Sequence, residues 1–147
     1  MKLSTRTRYG TRAMAELANS YGDGPVPVHK LAAKQNLSEK YLEQIMAPLK
    51  AAGLVKAVRG PGGGYVLAMP PSRIRLTDIF YVFEGSTAPV DCIDDPETCP
   101  LHGGCPTRRF WGELKVAIDG VLGRSTLQDL LNRWEKHENN HGIMYQI

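Results

Sequence analysis

Cys92, Cys99 and Cys105 stand within one fourteen-residue stretch, Cys-Ile-Asp-Asp-Pro-Glu-Thr-Cys-Pro-Leu-His-Gly-Gly-Cys, and the chain has no other cysteine. An odd number of thiols cannot pair fully into internal disulfides. Six residues separate the first two cysteines and five the last two. That is wider than the two-residue spacing of many zinc sites and suits a longer loop wrapped around an iron–sulfur cluster. Two other chemistries use the same residues. A thiolate near a helix N-terminus can act as a redox switch resolved by a second cysteine. A nucleophilic cysteine can serve an enzyme, but it needs a base and an orienting group, and only His102 is near in sequence; this argues against an enzyme. Pro106 is a good first helical residue, which makes Cys105 the expected N-cap of a helix with Arg108 and Arg109 in its first turn. The positive helix end and the two guanidinium groups would lower the thiol pKa and favour an anionic cluster. His102 is the nearest further ligand, followed by Asp91, Asp94, Asp95 and Glu97. Water, a small thiol or substrate could equally take a fourth position. His29, His137 and His141 have no evident role.

The remainder of the chain must position these thiols. Its 147 residues, 42% hydrophobic, suit one compact domain or a small domain with an appended arm. No apolar run approaches the ~18 residues that span a bilayer, and the basic start leads into no apolar signal core. A soluble cytoplasmic protein without membrane partners is expected. The net charge of +3 is unevenly divided: residues 1–75 hold 12 Lys/Arg and 4 Asp/Glu, whereas residues 76–147 hold 6 and 11. A basic first half points to a polyanion, with nucleic acid first in line.

In that half, Ser4 or Thr5 caps a predicted helix to about Ser20, with Tyr9, Ala13 and Leu17 on its buried face. Gly22-Asp23-Gly24-Pro25 is a turn, and Val26 to Val28 suffices for one bridge. A short helix covers about His29 to Gln35, with Leu31 and Ala32 inward. Ser38 caps another helix to about Ala52, with Leu42, Ile45, Met46 and Leu49 at i, i+3, i+4 and i+7. Its opposite side carries Glu39, Lys40, Glu43, Gln44 and Lys50. The pair reads as a helix-turn-helix. Leu54 to Val58 and Tyr65 to Leu67 then form a strand pair around Arg59-Gly60-Pro61-Gly62-Gly63-Gly64. A glycine-rich tip with one guanidinium can lie close to a phosphate backbone, Arg59 entering a narrow minor groove. This is a wing. It is not a phosphate loop, because no Gly-Lys-Ser/Thr and no helix follow, and it is not a dinucleotide fingerprint. Pro48 removes the hydrogen bond to the Gln44 carbonyl, and a kink is expected there.

Met1-Lys2-Leu3-Ser4-Thr5-Arg6-Thr7-Arg8-Tyr9-Gly10, Leu37 to Ile45, the run Ala52-Gly53-Leu54-Val55 continuing to Val58-Arg59-Gly60-Pro61-Gly62-Gly63-Gly64-Tyr65, Leu76-Thr77-Asp78-Ile79 and Phe83-Glu84-Gly85 together resemble the bacterial winged-helix regulators typified by IscR and NsrR, the iron–sulfur-cluster and nitric-oxide sensors. The likeness covers nearly the whole chain, strongly to about Trp111. It implies a homodimer on a roughly palindromic double-stranded DNA operator, with recognition helices ~34 Å apart. By the family pattern Ser38, Tyr41, Glu43 and Gln44 approach base edges, and Arg59 with Gly60 sits in the minor groove; Glu39, Lys40, Pro61 and Gly62 complete the candidate DNA contacts. A Gln can bond adenine and a Glu can accept from cytosine.

The acidic half begins with a helical stripe of Leu76, Ile79, Phe80 and Phe83. Periodicity returns from Pro106 to Leu122 with Phe110, Leu114, Ala117, Ile118, Val121 and Leu122, a stripe that a partner chain would cover. A last helix, about Thr126 to His137, carries Leu127, Leu130, Leu131 and Trp134. The expected fold is mainly α with a small β wing. Residues 1–85 form the winged helix-turn-helix, 86–105 the cysteine-bearing sensor loop, and 106–147 the dimerisation and C-terminal helices. In the family the three cysteines bind an iron–sulfur cluster, 2Fe-2S or 4Fe-4S. The fourth ligand is where this chain departs. Arg108 occupies the position of the histidine used by the two-iron sensor. Arg8 and Arg12 occupy first-helix positions that supply ligands in other members, and the gap between the first two cysteines is one residue longer. The expected function is a DNA-binding regulator controlled by a cluster on Cys92, Cys99 and Cys105, with His102 as the candidate fourth ligand. The alternative is a cluster-free thiol redox sensor.

Overall fold

The computed structural model describes residues 2–145, with side chains to residue 140, so His141 lies outside the described side chains. Six helices and one hairpin follow in the order α1 (Thr5–Asn19), α2 (Val28–Gln35), α3 (Glu39–Ala51), β1 (Val55–Val58), β2 (Gly64–Leu67), α4 (Leu76–Glu84), α5 (Arg108–Arg124) and α6 (Leu127–Tyr145). Ser4 caps α1, its Oγ accepting from the Thr7 N–H at 3.1 Å. Ser38 caps α3 in the same way through Tyr41 N–H, also at 3.1 Å. Each side-chain oxygen satisfies a backbone donor that has no partner inside the helix. Asn36, at φ 55°, closes α2 in the left-handed conformation that asparagine tolerates.

The stripe of α3 is fully sequestered: Leu42, Ile45, Met46 and Leu49 are all 0% exposed. At about 1.5–3 kcal/mol for each such side chain buried, this face holds α3 against the core. Met14 and Leu17 of α1, Leu31 of α2 and Ile79 of α4 meet α3 there. Tyr9 is only half-buried; Thr7, Gly10 and Met14 take that side of α1 instead.

β1 and β2 pair antiparallel in the register Val55↔Leu67 to Val58↔Gly64. Val26 adds the expected bridge to Tyr65, its N–H donating to Tyr65 O at 2.9 Å and its carbonyl accepting from Tyr65 N–H at 3.0 Å. This ties the wing to the start of α2. The tie requires glycine at 64, where φ is +153° and a Cβ would lie 2.0 Å from the Val26 carbonyl oxygen.

The second half divides unexpectedly. α6 runs further than the sequence pattern indicates, and its first two turns return to the first-half core, with Leu127 at 0% and Leu131 at 7% exposure. Leu127 N–H bonds Ile74 O at 3.0 Å, and Leu76 N–H bonds Ser125 O at 2.9 Å. α5 buries no residue within the chain; Phe110, Val116 and Val121 remain exposed. Cys105 is not the N-cap of α5. Thr107 holds that place, because the first helical bond runs from Trp111 N–H to Thr107 O at 3.1 Å, and Pro106 is one residue outside the helix.

Candidate nucleic-acid interface and cysteine loop

The N-terminal turns of α3 and the wing share one face. A cleft of about 640 Å³ lies between the start of α2, the start of α3 and the wing, bordered by His29, Lys30, Glu39, Gly60, Gly62 and Gly64. Glu39, Lys40, Glu43 and Gln44 are exposed on α3, as are Arg59, Gly60, Pro61 and Gly62 at the tip. Gly60 and Gly62 have φ of 95° and 75°, and Gly63 N–H closes the tip onto Gly60 O at 2.9 Å. Ser38 and Tyr41 are more constrained. The Ser38 oxygen is engaged in capping, and the half-buried Tyr41 ring meets Tyr9 edge-on at 6.2 Å. His29 and Lys30 carry no local sequence signal for this face. The signal for them is topological: the first helix of a helix-turn-helix crosses the nucleic-acid backbone.

Behind this face, Glu84 at the end of α4 accepts from the Ser4 N–H at 2.9 Å and from the Thr7 hydroxyl. These bonds, the Thr7 hydroxyl foremost, hold the Glu84 carboxyl below the usual carboxylate range. Gly10 leaves room for the Phe83 ring, which lies 2.4 Å from where a Cβ would stand. α1 and α4 are thereby locked together immediately before the cysteine loop.

In the loop, Cys92 lies in a 3-10 turn (Asp91–Ile93), Cys99 follows another (Pro96–Thr98), and Cys105 precedes Pro106. All three are half-buried, and none is disulfide-bonded. His102 Nδ1 lies 2.8 Å from Cys99 O. A carbonyl only accepts, so Nδ1 is the donor in this bond, which leaves Nε2 as the nitrogen available to a ligand. His102 and Cys105 border one pocket of about 470 Å³ with Ile93 and Arg108. Arg108 donates to Cys92 O at 3.4 Å, tying the first thiol-bearing turn to the base of α5. The Cys105 thiol lies 3.2 Å from the Thr107 hydroxyl. That hydroxyl, then the Thr107 and Arg108 backbone and the Arg108 charge, lower the Cys105 pKa. The direction agrees with the sequence reading, but Thr107 rather than a helix-capping position is the main cause. Asp94 accepts from the Ser86 hydroxyl, and Asp95 accepts from Glu97 N–H at 3.2 Å, so both carboxylates are engaged within the loop. By type, three thiols and an oriented imidazole suit a cluster. By placement, among the described residues, no three His, Cys, Asp or Glu side chains converge as a metal-ion cage.

A polar network joins the loop to α5. Asp119 accepts from Thr87, which is 3% exposed, at 2.5 Å, from Lys115 at 2.7 Å and from Tyr81 at 3.3 Å. The sequence carried no sign of it, because the partners come from three separate segments.

A helix, a helix-turn-helix and a β-hairpin in this order constitute a winged-helix DNA-binding protein. The family model described as "Rrf2: Iron-dependent Transcriptional regulator" matches residues 3–133. The chain belongs to this family and is a DNA-binding transcription regulator, not an enzyme. It is 44% identical over 130 residues to the HTH-type transcriptional regulator CymR of Bacillus subtilis, covering 88% of this chain and 89% of that one. The solved structure of CymR, described as the global cysteine regulator of B. subtilis, superposes with a TM-score of 0.76 at 41% identity, covering 90% of this chain and 98% of that one. T. potens IscR superposes with a TM-score of 0.76 at 40% identity, covering 93% and 90%. No helix among the described residues is long and apolar enough to cross a membrane.

Proposed function

We propose that the chain is a homodimeric regulator that reads its operator with the first turns of α3 and with the wing, and whose cysteine loop receives the signal. The cleft bordered by α2, α3 and the wing tip carries this reading, because it presents the polar helix face and the tip to one duplex. Glu43 and Gln44 meet base edges in the major groove, and Arg59 with Gly60 follows the adjacent minor groove. Ser38, Glu39, Lys40, Tyr41, Pro61 and Gly62 complete the surface, with His29 and Lys30 toward the backbone. The exposed apolar residues of α5 supply the dimer contact, since a helix with an uncovered apolar face is stabilised by a partner.

For the signal, Cys92, Cys99 and Cys105 would supply three thiolates and His102 Nε2 the fourth donor to an iron–sulfur cluster. The bound cluster would supply a redox-active, attackable centre sensitive to iron supply, nitric oxide or oxidants. That no three His, Cys, Asp or Glu side chains among the described residues converge as a metal-ion cage favours a second reading, in which the thiols act directly as a redox switch without a cluster. In either case Arg108 ties the loop to α5, the Asp119 network ties α5 to the loop and to α4, and Phe83 and Glu84 tie α4 to α1.

The DNA reading is tested by selecting duplexes from a randomised pool with the wild-type protein and titrating the selected duplex with variants. Arg59→Ala is expected to weaken specific binding, and Glu43→Ala and Gln44→Ala to lower discrimination by about 1–3 kcal/mol per lost base contact. Unchanged affinity in all three contradicts the assignment.

A further inference from the structure

Pro48 sits inside α3. Having no N–H, it leaves the Gln44 carbonyl without its intrahelical donor. The helix nevertheless runs unbroken from Glu39 to Ala51, and the stranded carbonyl has a donor from another helix: Arg6 Nη2 of α1 bonds Gln44 O at 3.3 Å. The Arg6 guanidinium also lies over the Phe83 ring of α4, 5.9 Å from its centroid. Phe83 is in turn seated in the space that Gly10 leaves open. Arg6 is therefore oriented by an aromatic face while its N–H groups point at the one backbone acceptor of α3 that the sequence deprives of a partner.

We propose that Arg6 is a positioning residue for specific DNA reading: it supplies in trans the hydrogen bond that Pro48 removes, and so fixes the backbone that carries Glu43 and Gln44. This rests on the reading of α3 as the base-contacting helix. The donor is charged, but the bond is exposed and 3.3 Å long, so its net contribution is that of an ordinary hydrogen bond, and it lies at the residue meant to meet the bases. The competing role for an exposed arginine on this half of the protein is a phosphate contact. The two roles have different signatures. A phosphate contact weakens binding to all sequences alike and lowers the salt slope by about 0.9 when removed. A positioning bond lowers the ratio of specific to nonspecific affinity and leaves the slope alone.

The decisive variant is Pro48→Ala, which returns an N–H to position 48 and allows α3 to satisfy Gln44 O by itself. The experiment is a double-mutant cycle of Arg6→Ala and Pro48→Ala on the full chain. Affinity for the selected duplex and for a scrambled duplex of equal length is measured over a salt series. Arg6→Ala alone is expected to lower discrimination about fivefold, the loss of one net hydrogen bond. In the Pro48→Ala background the same substitution is expected to leave discrimination within about twofold, the residue scale of an interaction already replaced. An equal loss in both backgrounds, a change of salt slope by about 0.9, or no loss at all while Glu43→Ala and Gln44→Ala still lose discrimination each overturns the proposal. If Glu43→Ala and Gln44→Ala also change nothing, it is the reading of α3 that has failed.

Discussion

Gly64→Ala strikes the junction between the wing and the helix-turn-helix. A Cβ at 64 would stand 2.0 Å from Val26 O, 2.4 Å from Val26 C and 2.8 Å from Pro27 N. These are backbone atoms, so no side chain can rotate away. The strand must instead leave Val26, breaking the two bridge hydrogen bonds at 2.9 and 3.0 Å, each contributing about 1 kcal/mol net. The φ of +153° adds strain of about 1–3 kcal/mol for any residue with a Cβ that stays there. Because the strand either detaches, losing about 2 kcal/mol for the two bonds, or stays and is strained by about 1–3 kcal/mol, the expected cost is about 2–3 kcal/mol. Gly62→Ala is the control: its φ is +75° with no atom within 4 Å of the added Cβ, so it carries only the left-handed penalty of about 1 kcal/mol. Urea unfolding followed by far-ultraviolet circular dichroism measures both. Because the wing would also lose its bearing on α2, Gly64→Ala is further expected to weaken specific duplex binding more than Gly62→Ala does. Equal unfolding midpoints for the two variants would refute the close-approach argument.

Glu84 gives a pH dependence. Its folded pKa lies below the usual range, so its bonds to Thr7 and Ser4 contribute stability that is present above the ordinary glutamate pKa and lost as pH falls through the folded value. Wild type should lose stability across that acidic window and Glu84→Gln should lose less, as read by urea midpoints at a series of pH values; identical profiles would count against it. Thr107→Val should slow alkylation of Cys105 by iodoacetamide near neutral pH, since the Thr107 hydroxyl is the main influence lowering that thiol's pKa; mass spectrometry of the labelled peptide gives the rate. Phe110→Asp, on the exposed face of α5, should shift the protein toward monomer in sedimentation equilibrium without lowering the helical content, whereas an unchanged mass places the dimer contact elsewhere.

The elements were largely legible in the sequence because local rules act there without opposition. Serine caps at Ser4 and Ser38 and the period of Leu42, Ile45, Met46 and Leu49 appear where the structure has them, and the glycine-rich break expected over 59–64 differs only in that Gly64 already belongs to β2, paired with Val58. What the sequence concealed depends on contacts between distant residues. Nothing local shows that Arg6 meets the carbonyl stranded by Pro48 thirty-eight positions on, or that Asp119 gathers Thr87 and Tyr81. The end of α5 misled for a different reason. Pro106 favours a helix start, but Thr107 intervenes as cap, and the thiol at 105 is displaced by two residues from the place its neighbours suggested. The thiols were conspicuous by type and spacing, while their placement in the fold, with Arg108 at the base of α5 donating to Cys92 O, was not.

Under the proposed function Cys92, Cys99 and Cys105 receive the signal. The most direct test is anaerobic visible absorption and EPR of the purified protein, with iron and sulfide analysis on the same sample. A brown protein carrying iron and sulfide in cluster proportion, its colour bleached in air and absent from Cys92→Ser, Cys99→Ser and Cys105→Ser, is the result expected for the cluster. A colourless, iron-free protein with three titratable thiols after anaerobic reconstitution with iron and sulfide would contradict it and leave the thiol switch as the function of the loop.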